Sequence, residues 1–334
     1  MEEAMLVADS ILYLTEADVQ QTLTILEAVD LAEQGIKADA AGRVAGDKFY
    51  MPLGEAGFIK PFSGYMEGEE LAFVKTFSFL PGNRERFGHP ATSSMVLLFD
   101  AETGLPVCLM EGGWVTALKT GASTAVTAAA LARPEATTAT IFGAGSLGRM
   151  HLQALTSRFS LRQAYVVDIL PEAAEAYATD LEPIVGFSVE PVLLEAREVA
   201  VRRSDIVITV TTGNQPLVER GWLQPGAFVA RLGSYQEVAL EVITEADKVI
   251  VDKWHYVRPR IPELEMLAQE KRFGFEAVHA EWPDVVAGRR PGREARNEII
   301  VYIALGIWGE YAAILPEVYR RARQLGLGRS LPRS

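Results

Sequence analysis

The stretch TIFGAGSLGRM, Thr140 to Met150, carries glycines at positions 143, 145 and 148. A G-x-G-x-x-G pattern arises by chance in many chains, so its flanks decide its meaning. Upstream, the β-branched run TATIF reads as a short buried strand. Downstream, Ser146 opens a helical segment, and a second strand, AYVVD, ends at Asp168, 20 residues after Gly148. Strand, glycine turn, helix, strand and acid, in that order, are the context a dinucleotide-binding turn requires. Gly143 permits the tight turn, Gly145 lets a pyrophosphate reach the backbone, and Gly148 lets helix and sheet pack closely. Ala144, Ser146 and Leu147 complete the loop, whose backbone N–H groups, at the positive end of the helix, are expected to hold the phosphates. Asp168 is placed to accept hydrogen bonds from the adenosine ribose hydroxyls. Its charge repels a 2′-phosphate, so NAD is expected in preference to NADP.

Outward from this turn, short apolar runs alternate with helical patterns. Strand ATIF, a helix from Ser146, strand AYVVD, a helix from Pro171, a strand near Val189, a helix from Glu195, and strands DIVITVT, FVARLG and KVIVD follow in order. This alternation predicts a parallel sheet covered on both faces. Between Lys48 and Met110 the texture differs: KFYMP, GFIKPF, LAFVKTFSF, SSMVLLFD and LPVCLMEG read as strands, with DAETG as a hairpin turn. The segment Thr15 to Gly35 reads as one surface helix on the period of Val19, Leu23, Leu26 and Val29, with Thr15 as cap and Asp18 three residues on. WVTALKTGASTAVTAAALA reads as a long helix stopped at Arg133-Pro134. The tail from Glu294 to Gly326 is expected to be helical on the spacing of Ile299, Ile303, Ile307 and Leu315, beyond the last strand of the sheet. At 334 residues the chain suggests two lobes.

Composition narrows the partners. The net charge is −12 and basic patches are confined to Arg289-Arg290 and Arg320 to Arg323, which disfavours nucleic acid. The single cysteine, Cys108, excludes an internal disulfide and any cysteine cluster for zinc. The four histidines, at 89, 151, 255 and 279, show no metal-ligand spacing, so no metal is expected. A reducing cytoplasm fits this cysteine usage. The start Met1-Glu2-Glu3 has neither a basic n-region nor an apolar h-region, and no stretch approaches 18 apolar residues, so neither a leader nor a membrane span is expected.

Two lysines stand out. In LAFVKTFSF the period of two places Leu71, Phe73, Lys75, Phe77 and Phe79 on one strand face. A lysine among four large apolar residues either meets an anion, with a lowered pKa, or snorkels from a sheet edge to water. Lys119 lies near the start of the long helix, where a cation opposes the macrodipole unless an anion such as a substrate carboxylate sits nearby. Taken by itself, it reads more simply as an exposed lysine.

With the lysines and the glycine turn together, the sequence resembles the ornithine cyclodeaminase/μ-crystallin family over nearly its whole length. The stretches that carry the resemblance are VKTFSFLPGN, VLLFDAETGLPVCLMEGGWVTALKTGAS, IFGAGSLGRMHLQAL, DIVITVTTGNQPLV, LQPGAFVARLGS and LPEVYRRARQLGLG. The resemblance implies an α/β fold in which a Rossmann-type doubly wound parallel sheet, residues 119–309, is inserted into a smaller α+β domain. That smaller domain, 1–118 with 310–334, would bind substrate and form a homodimer. By the same resemblance Lys75 is the active-site lysine, touching the substrate carboxylate and taking part in proton transfer. Lys119 falls where the family usually has an arginine carboxylate anchor; the change keeps the charge and loses the bidentate fork. Lys48 is the nearest match to a further cation of the family, and Leu147 stands where glutamine is common. Thr211 and Thr212 match positions on the nicotinamide side. Tyr235 replaces an aspartate that cyclodeaminases carry to hold a distal amine, which argues against ornithine cyclisation.

The reading is therefore an NAD-dependent oxidoreductase acting on the CH–NH or CH–NH2 group of a small amino or cyclic imino acid, an amino acid dehydrogenase or ketimine reductase. Two rivals are a cyclodeaminase-type ammonia lyase that retains NAD, and a cofactor-binding sensor without turnover.

Overall fold

Two threonines begin the helical architecture. In the computed structural model, which describes residues 10–54 and 57–333, Thr15 caps a helix over Glu16–Gln20 and Thr24 caps a second over Ile25–Ala40. Each is a capping box, closed by Asp18 and Glu27 respectively, so the single helix expected from Thr15 to Gly35 is two. The Met1-Glu2-Glu3 start lies outside the described residues. No helix among the described residues is long and apolar enough to cross a membrane.

The chain divides into two compact units, Met1–Lys119 with Trp308–Ser334, and Thr120–Ile307. The first is built on a mixed sheet. Its strands are β1 (Ser10–Leu14), β2 (Val44–Lys48), β3 (Met51–Leu53), β4 (Gly57–Met66), β5 (Leu71–Phe79), β6 (Thr92–Asp100), β7 (Pro106–Glu111) and β16 (Arg329–Pro332). They run in the order β16-β1-β7-β6-β5-β4-β2, with β3 on β4; β1 and β7 are parallel and the remaining pairs antiparallel. Strand β5 alternates as its sequence predicts: Leu71, Phe73, Lys75 and Phe79 are buried, while Val74 and Thr76 on the other face are exposed. Helix Gly309–Gln324 packs on β4 and β5 and against helix Ile25–Ala40. That crossing is close because both helices offer glycine at the contact. A Cβ on Gly35 would stand 2.1 Å from the Gly309 carbonyl oxygen, and one on Gly309 2.6 Å from that of Gly35.

The second unit is a wholly parallel eight-stranded sheet. Its strands are β8 (Thr138–Phe142), β9 (Gln163–Val167), β10 (Ser188–Val192), β11 (Ile206–Thr209), β12 (Phe228–Arg231), β13 (Lys248–Val251), β14 (Ala280–Glu281) and β15 (Ile300–Ile303). The order is β10-β9-β8-β11-β12-β15-β13-β14, so the direction of winding reverses at β8. In open parallel sheets that reversal opens a ligand crevice at the carboxyl ends of the strands.

The tail departs from expectation. Ile300–Ile303 is a strand, seated between β12 and β13, and the helix begins only at Gly309. A spacing of four between Ile299 and Ile303 satisfies both the helical period and the strand period of two. The uninterrupted Ile-Ile-Val-Tyr-Ile run, buried throughout, is what a central strand covered on both faces requires.

Candidate active site

In the first unit the register of the sheet assembles a row of cations and rings. Lys48 on β2 lies opposite Phe62 on β4, Phe62 opposite Lys75 on β5, and Lys75 opposite Val96 on β6. In the neighbouring row Lys60 faces Phe77. The ammonium groups sit over the rings: Lys48 Nζ is 5.1 Å from the Phe62 centroid and Lys60 Nζ 5.4 Å from that of Phe77. Lys75 Nζ is shared among Phe62, Phe77 and Tyr311 at 5.1, 5.4 and 5.3 Å. Such contacts recover about 0.5–2 kcal/mol each, far less than the cost of burying a lone charge.

Lys75 is only 1% exposed. Burial, with the neighbouring charges of Lys60, Lys119 and Lys48, holds its pKa well below the ordinary lysine value. A lysine desolvated in this way gives up its proton more readily than an exposed one.

Lys119, also buried, reaches Glu310 Oε1 at 3.3 Å and lies 4.8 Å from the Tyr311 centroid. It is the seventh residue of helix Gly113–Leu131, so it stands beyond the first turn, where the macrodipole acts. Its anionic neighbour is Glu310, itself fully buried, and not the helix end. Neither Lys75 nor Lys119 is the exposed lysine its local pattern allowed. Tyr311 bonds Thr116 through its hydroxyl, and burial drives its pKa upward.

In the second unit the glycine turn sits at the reversal of the sheet. Phe142 pairs with Val167 and with Thr209, so Gly143, Asp168 and Val210 leave their three strands on one edge. Gly143 has φ +106°, and a Cβ there would meet the Val210 carbonyl oxygen at 2.7 Å. A Cβ on Gly148 would strike the Gly143 oxygen at 1.9 Å. Gly145, the N-cap of helix Ser146–Leu155, has open space where its Cβ would be. These three environments are the ones a pyrophosphate cradle needs: a forced turn, a tight helix-to-strand seam, and bare backbone at the helix start. Ala144, Ser146 and Leu147 complete this turn, and Asp168 braces it, its Oδ2 accepting the Ala144 N–H at 2.8 Å while Oδ1 accepts that of Leu170 at 3.0 Å.

The loop after β11 is tied down from beneath. Glu237, fully buried, accepts from Thr211 N–H and Oγ1 at 2.7 and 2.9 Å, from Thr209 Oγ1 at 2.8 Å and from Gly233 N–H at 2.7 Å. Thr212 is exposed, and Tyr235 is half-buried with its carbonyl held by Arg231. Within each unit, then, the residues singled out in the sequence gather: Lys48, Lys75 and Lys119 in the first; the glycine turn, Asp168 and Thr211 in the second.

Sequence reasoning missed Lys60, Glu310, Tyr311, Arg231, Glu237 and Glu263. Lys60 carried the same signal as Lys75, a cation between Phe58 and Phe62 on one strand face. Glu310, Tyr311 and Glu263 carry no local signal, because their partners are remote in the chain, and Arg231 and Glu237 join nearby loop groups to distant ones.

The match to known proteins follows this geometry. Residues 10–325 fit the family model of the ornithine cyclodeaminase/mu-crystallin family. The chain belongs to that family. Among relatives in the ornithine cyclodeaminase/mu-crystallin family, N-((2S)-2-amino-2-carboxyethyl)-L-glutamate dehydrogenase of Staphylococcus aureus is 32% identical over 72% of this chain and 71% of its own. Among solved structures, Thermococcus litoralis Delta(1)-pyrroline-2-carboxylate reductase, in complex with NADH and L-proline, superposes with a TM-score of 0.91 at 29% identity, covering 96% of this chain and all of its own. An archaeal alanine dehydrogenase dimer with bound NAD gives a TM-score of 0.89 at 26% identity, covering 96% and 99%.

Proposed function

We propose that this chain is an NAD-dependent oxidoreductase acting at the CH–NH or CH–NH2 carbon of a small amino acid or cyclic imino acid. The observation that carries the reading is Lys75: buried among three rings, beside three further lysines and with its pKa depressed, it needs an anion to complete its surroundings. A substrate carboxylate is that anion. The family and the relatives that act on amino and imino acids support the same substrate class.

NAD fits the second unit, and when bound it supplies or accepts the hydride. The turn Gly143 to Gly148 would hold its pyrophosphate, Asp168 the adenosine ribose, and Thr211 with Thr212 the nicotinamide side. In the first unit Lys75, Lys119 and Lys48 grip the carboxylate, which fixes the α-carbon and turns binding energy into orientation. Lys75 also passes the proton that accompanies the change between amine and imine. Tyr235 is assigned to the substrate side, where its phenol cannot supply a carboxylate to hold a distal amine.

On this reading the first unit, which takes in Lys119, Trp308 and Gly309 beyond the expected 1–118 with 310–334, binds substrate and forms a homodimer, the second unit, narrower by the same residues than the expected 119–309, binds the dinucleotide, and the protein works in the cytoplasm. The dimeric alanine dehydrogenase supports the assembly.

The test is a panel of Δ1-pyrroline-2-carboxylate, pyruvate with ammonia, and pyruvate with methylamine, assayed with NADH and NADPH. Consumption of NADH by at least one imine or keto acid is expected. Ammonia released from a diamino acid with no lasting NADH change would replace the oxidoreductase with a lyase. NADH binding without turnover across the panel would leave a sensor.

A further inference from the structure

The geometry points to Glu237 as a positioning residue, one that sets the loops carrying Thr211 and Tyr235 for the nicotinamide half of the dinucleotide. The inference rests on the NAD reading above and goes beyond it, because Glu237 itself is assigned no contact with cofactor or substrate.

Strands β11 and β12 are parallel neighbours, with Thr209 opposite Arg231, and the two loops leave their carboxyl ends side by side. Glu237 joins them. Its Oε1 takes the Thr211 N–H and hydroxyl; its Oε2 takes the Thr209 hydroxyl and the Gly233 N–H. Gly233 leaves the space for this carboxylate, since a Cβ there would stand 2.4 Å from Glu237 Cδ.

Beneath Glu237 lies a second layer. Glu263 Oε1 accepts the backbone N–H groups of Glu237 and Val238 at 2.9 and 3.3 Å. Its carboxylate also makes a two-point pair with Arg231, at 3.1 Å from Nε and 3.0 Å from Nη2. Arg231 donates its remaining hydrogen bonds to the carbonyls of Gly233 and Tyr235. All three charged side chains are fully buried. Every polar group of the 233–238 turn that this network touches is held from below.

The network also reaches the glycine turn, because Val210 N–H donates to Phe142 and the Val210 carbonyl abuts Gly143. A buried arrangement of this completeness fixes one loop geometry and leaves little slack.

The chemistry of the donors gives a sharp variant. In Glu237→Gln the side chain keeps its shape but offers one acceptor oxygen and an NH2 group. Threonine hydroxyls can rotate to accept, whereas backbone N–H groups cannot. Either Thr211 N–H or Gly233 N–H must therefore face a donor, and that loop moves.

The experiment uses the purified full-length chain and two probes: ADP-ribose, which engages the glycine turn and lacks nicotinamide, and NADH, read also by the emission of its bound nicotinamide. In Glu237→Gln, ADP-ribose affinity is expected to stay nearly that of wild type while NADH binds about tenfold more weakly with altered emission. Turnover of the best substrate of the panel should fall by about 10²-fold. Equal weakening of both probes would make Glu237 a prop of the whole fold, and unchanged NADH binding and turnover would remove its role; either result overturns the inference.

If Glu237→Gln fails to fold, Thr209→Val takes its place. It removes one donor, leaves both backbone N–H groups partnered, and should give the same split between probes on a smaller scale; no split overturns the inference. A wild-type chain binding neither probe would overturn the NAD reading and this inference with it, and that result is separable from any pattern among the variants.

Discussion

The two candidate regions satisfy their polar groups in opposite ways. In the second unit the carboxylates flanking the glycine turn and the neighbouring loop are paired within the chain: Asp168 is bonded on both oxygens, and Glu237 takes four donors. In the first unit Lys75 is enclosed by rings and by cations of its own sign. One region is a finished surface shaped to receive a ligand by its backbone. The other gathers buried positive charge that, on the proposed reading, a substrate carboxylate would offset. Substitutions should therefore act on shape and nucleotide affinity in the second region, and on charge and turnover in the first.

The strongest break of this contrast is Lys75→Met. Turnover should fall by about 10³-fold, the range of a lost proton-transfer group, with NADH affinity by fluorescence titration unchanged. Parallel loss of both would reduce Lys75 to a support of the fold.

Next is Gly148→Ala. Its Cβ cannot coexist with the Gly143 oxygen at 1.9 Å, so helix and turn must separate. A loss of about 1–3 kcal/mol in stability, with NADH binding weakened, is expected from denaturant titration and binding. A variant as stable and as tight as wild type would contradict the seam described here.

Asp168→Asn removes the charge and keeps one acceptor, for the Ala144 N–H, at the cost of the bond from the Leu170 N–H. The preference for NADH over NADPH should narrow by about tenfold in kcat/KM, the worth of one modest charge interaction. An unmoved ratio would take ribose recognition away from Asp168.

The smallest effect concerns stability and pH. Because the folded pKa of Lys75 lies below that of the unfolded chain, the unfolded state binds more protons between the two values, and wild-type stability gains from rising pH in that window. Below the folded pKa both states keep the proton and the penalty for burying the charge is full and constant; above it the folded state sheds the proton and the penalty shrinks as pH rises. Measured as urea midpoints, any stability advantage of Lys75→Met over wild type should shrink as pH rises toward 10.5, the ordinary lysine value. A gap independent of pH would mean that Lys75 titrates as it does when unfolded.

Much of this was legible in the chain. The alternation of β5 and the sequence from TATIF to Asp168 depend on local periods and on glycine, which act over a few residues and so survive in a linear reading. The tail misled because the Ile299 to Ile303 spacing fits two periods at once. The first helix misled because Val19, Leu23, Leu26 and Val29 keep helical spacing straight across the second capping box, Thr24 with Glu27. The ties of Lys119 to Glu310, 191 residues away, and of Glu263 to Arg231 and Glu237, 32 and 26 residues away, are products of tertiary placement. No window along the sequence contains both partners. Lys60 was legible by the rule that found Lys75.

The Gly35 to Gly309 crossing has a consequence for how the protein is made. The second unit is one continuous stretch, whereas the sheet of the first receives helix Gly309–Gln324 only after that whole stretch has been synthesised. On the ribosome, the dinucleotide unit is free to fold first, while the earlier-made lysine-bearing sheet waits with its apolar face bare for the last helix to emerge. The lysine-bearing unit, begun before the other, is thus completed after it.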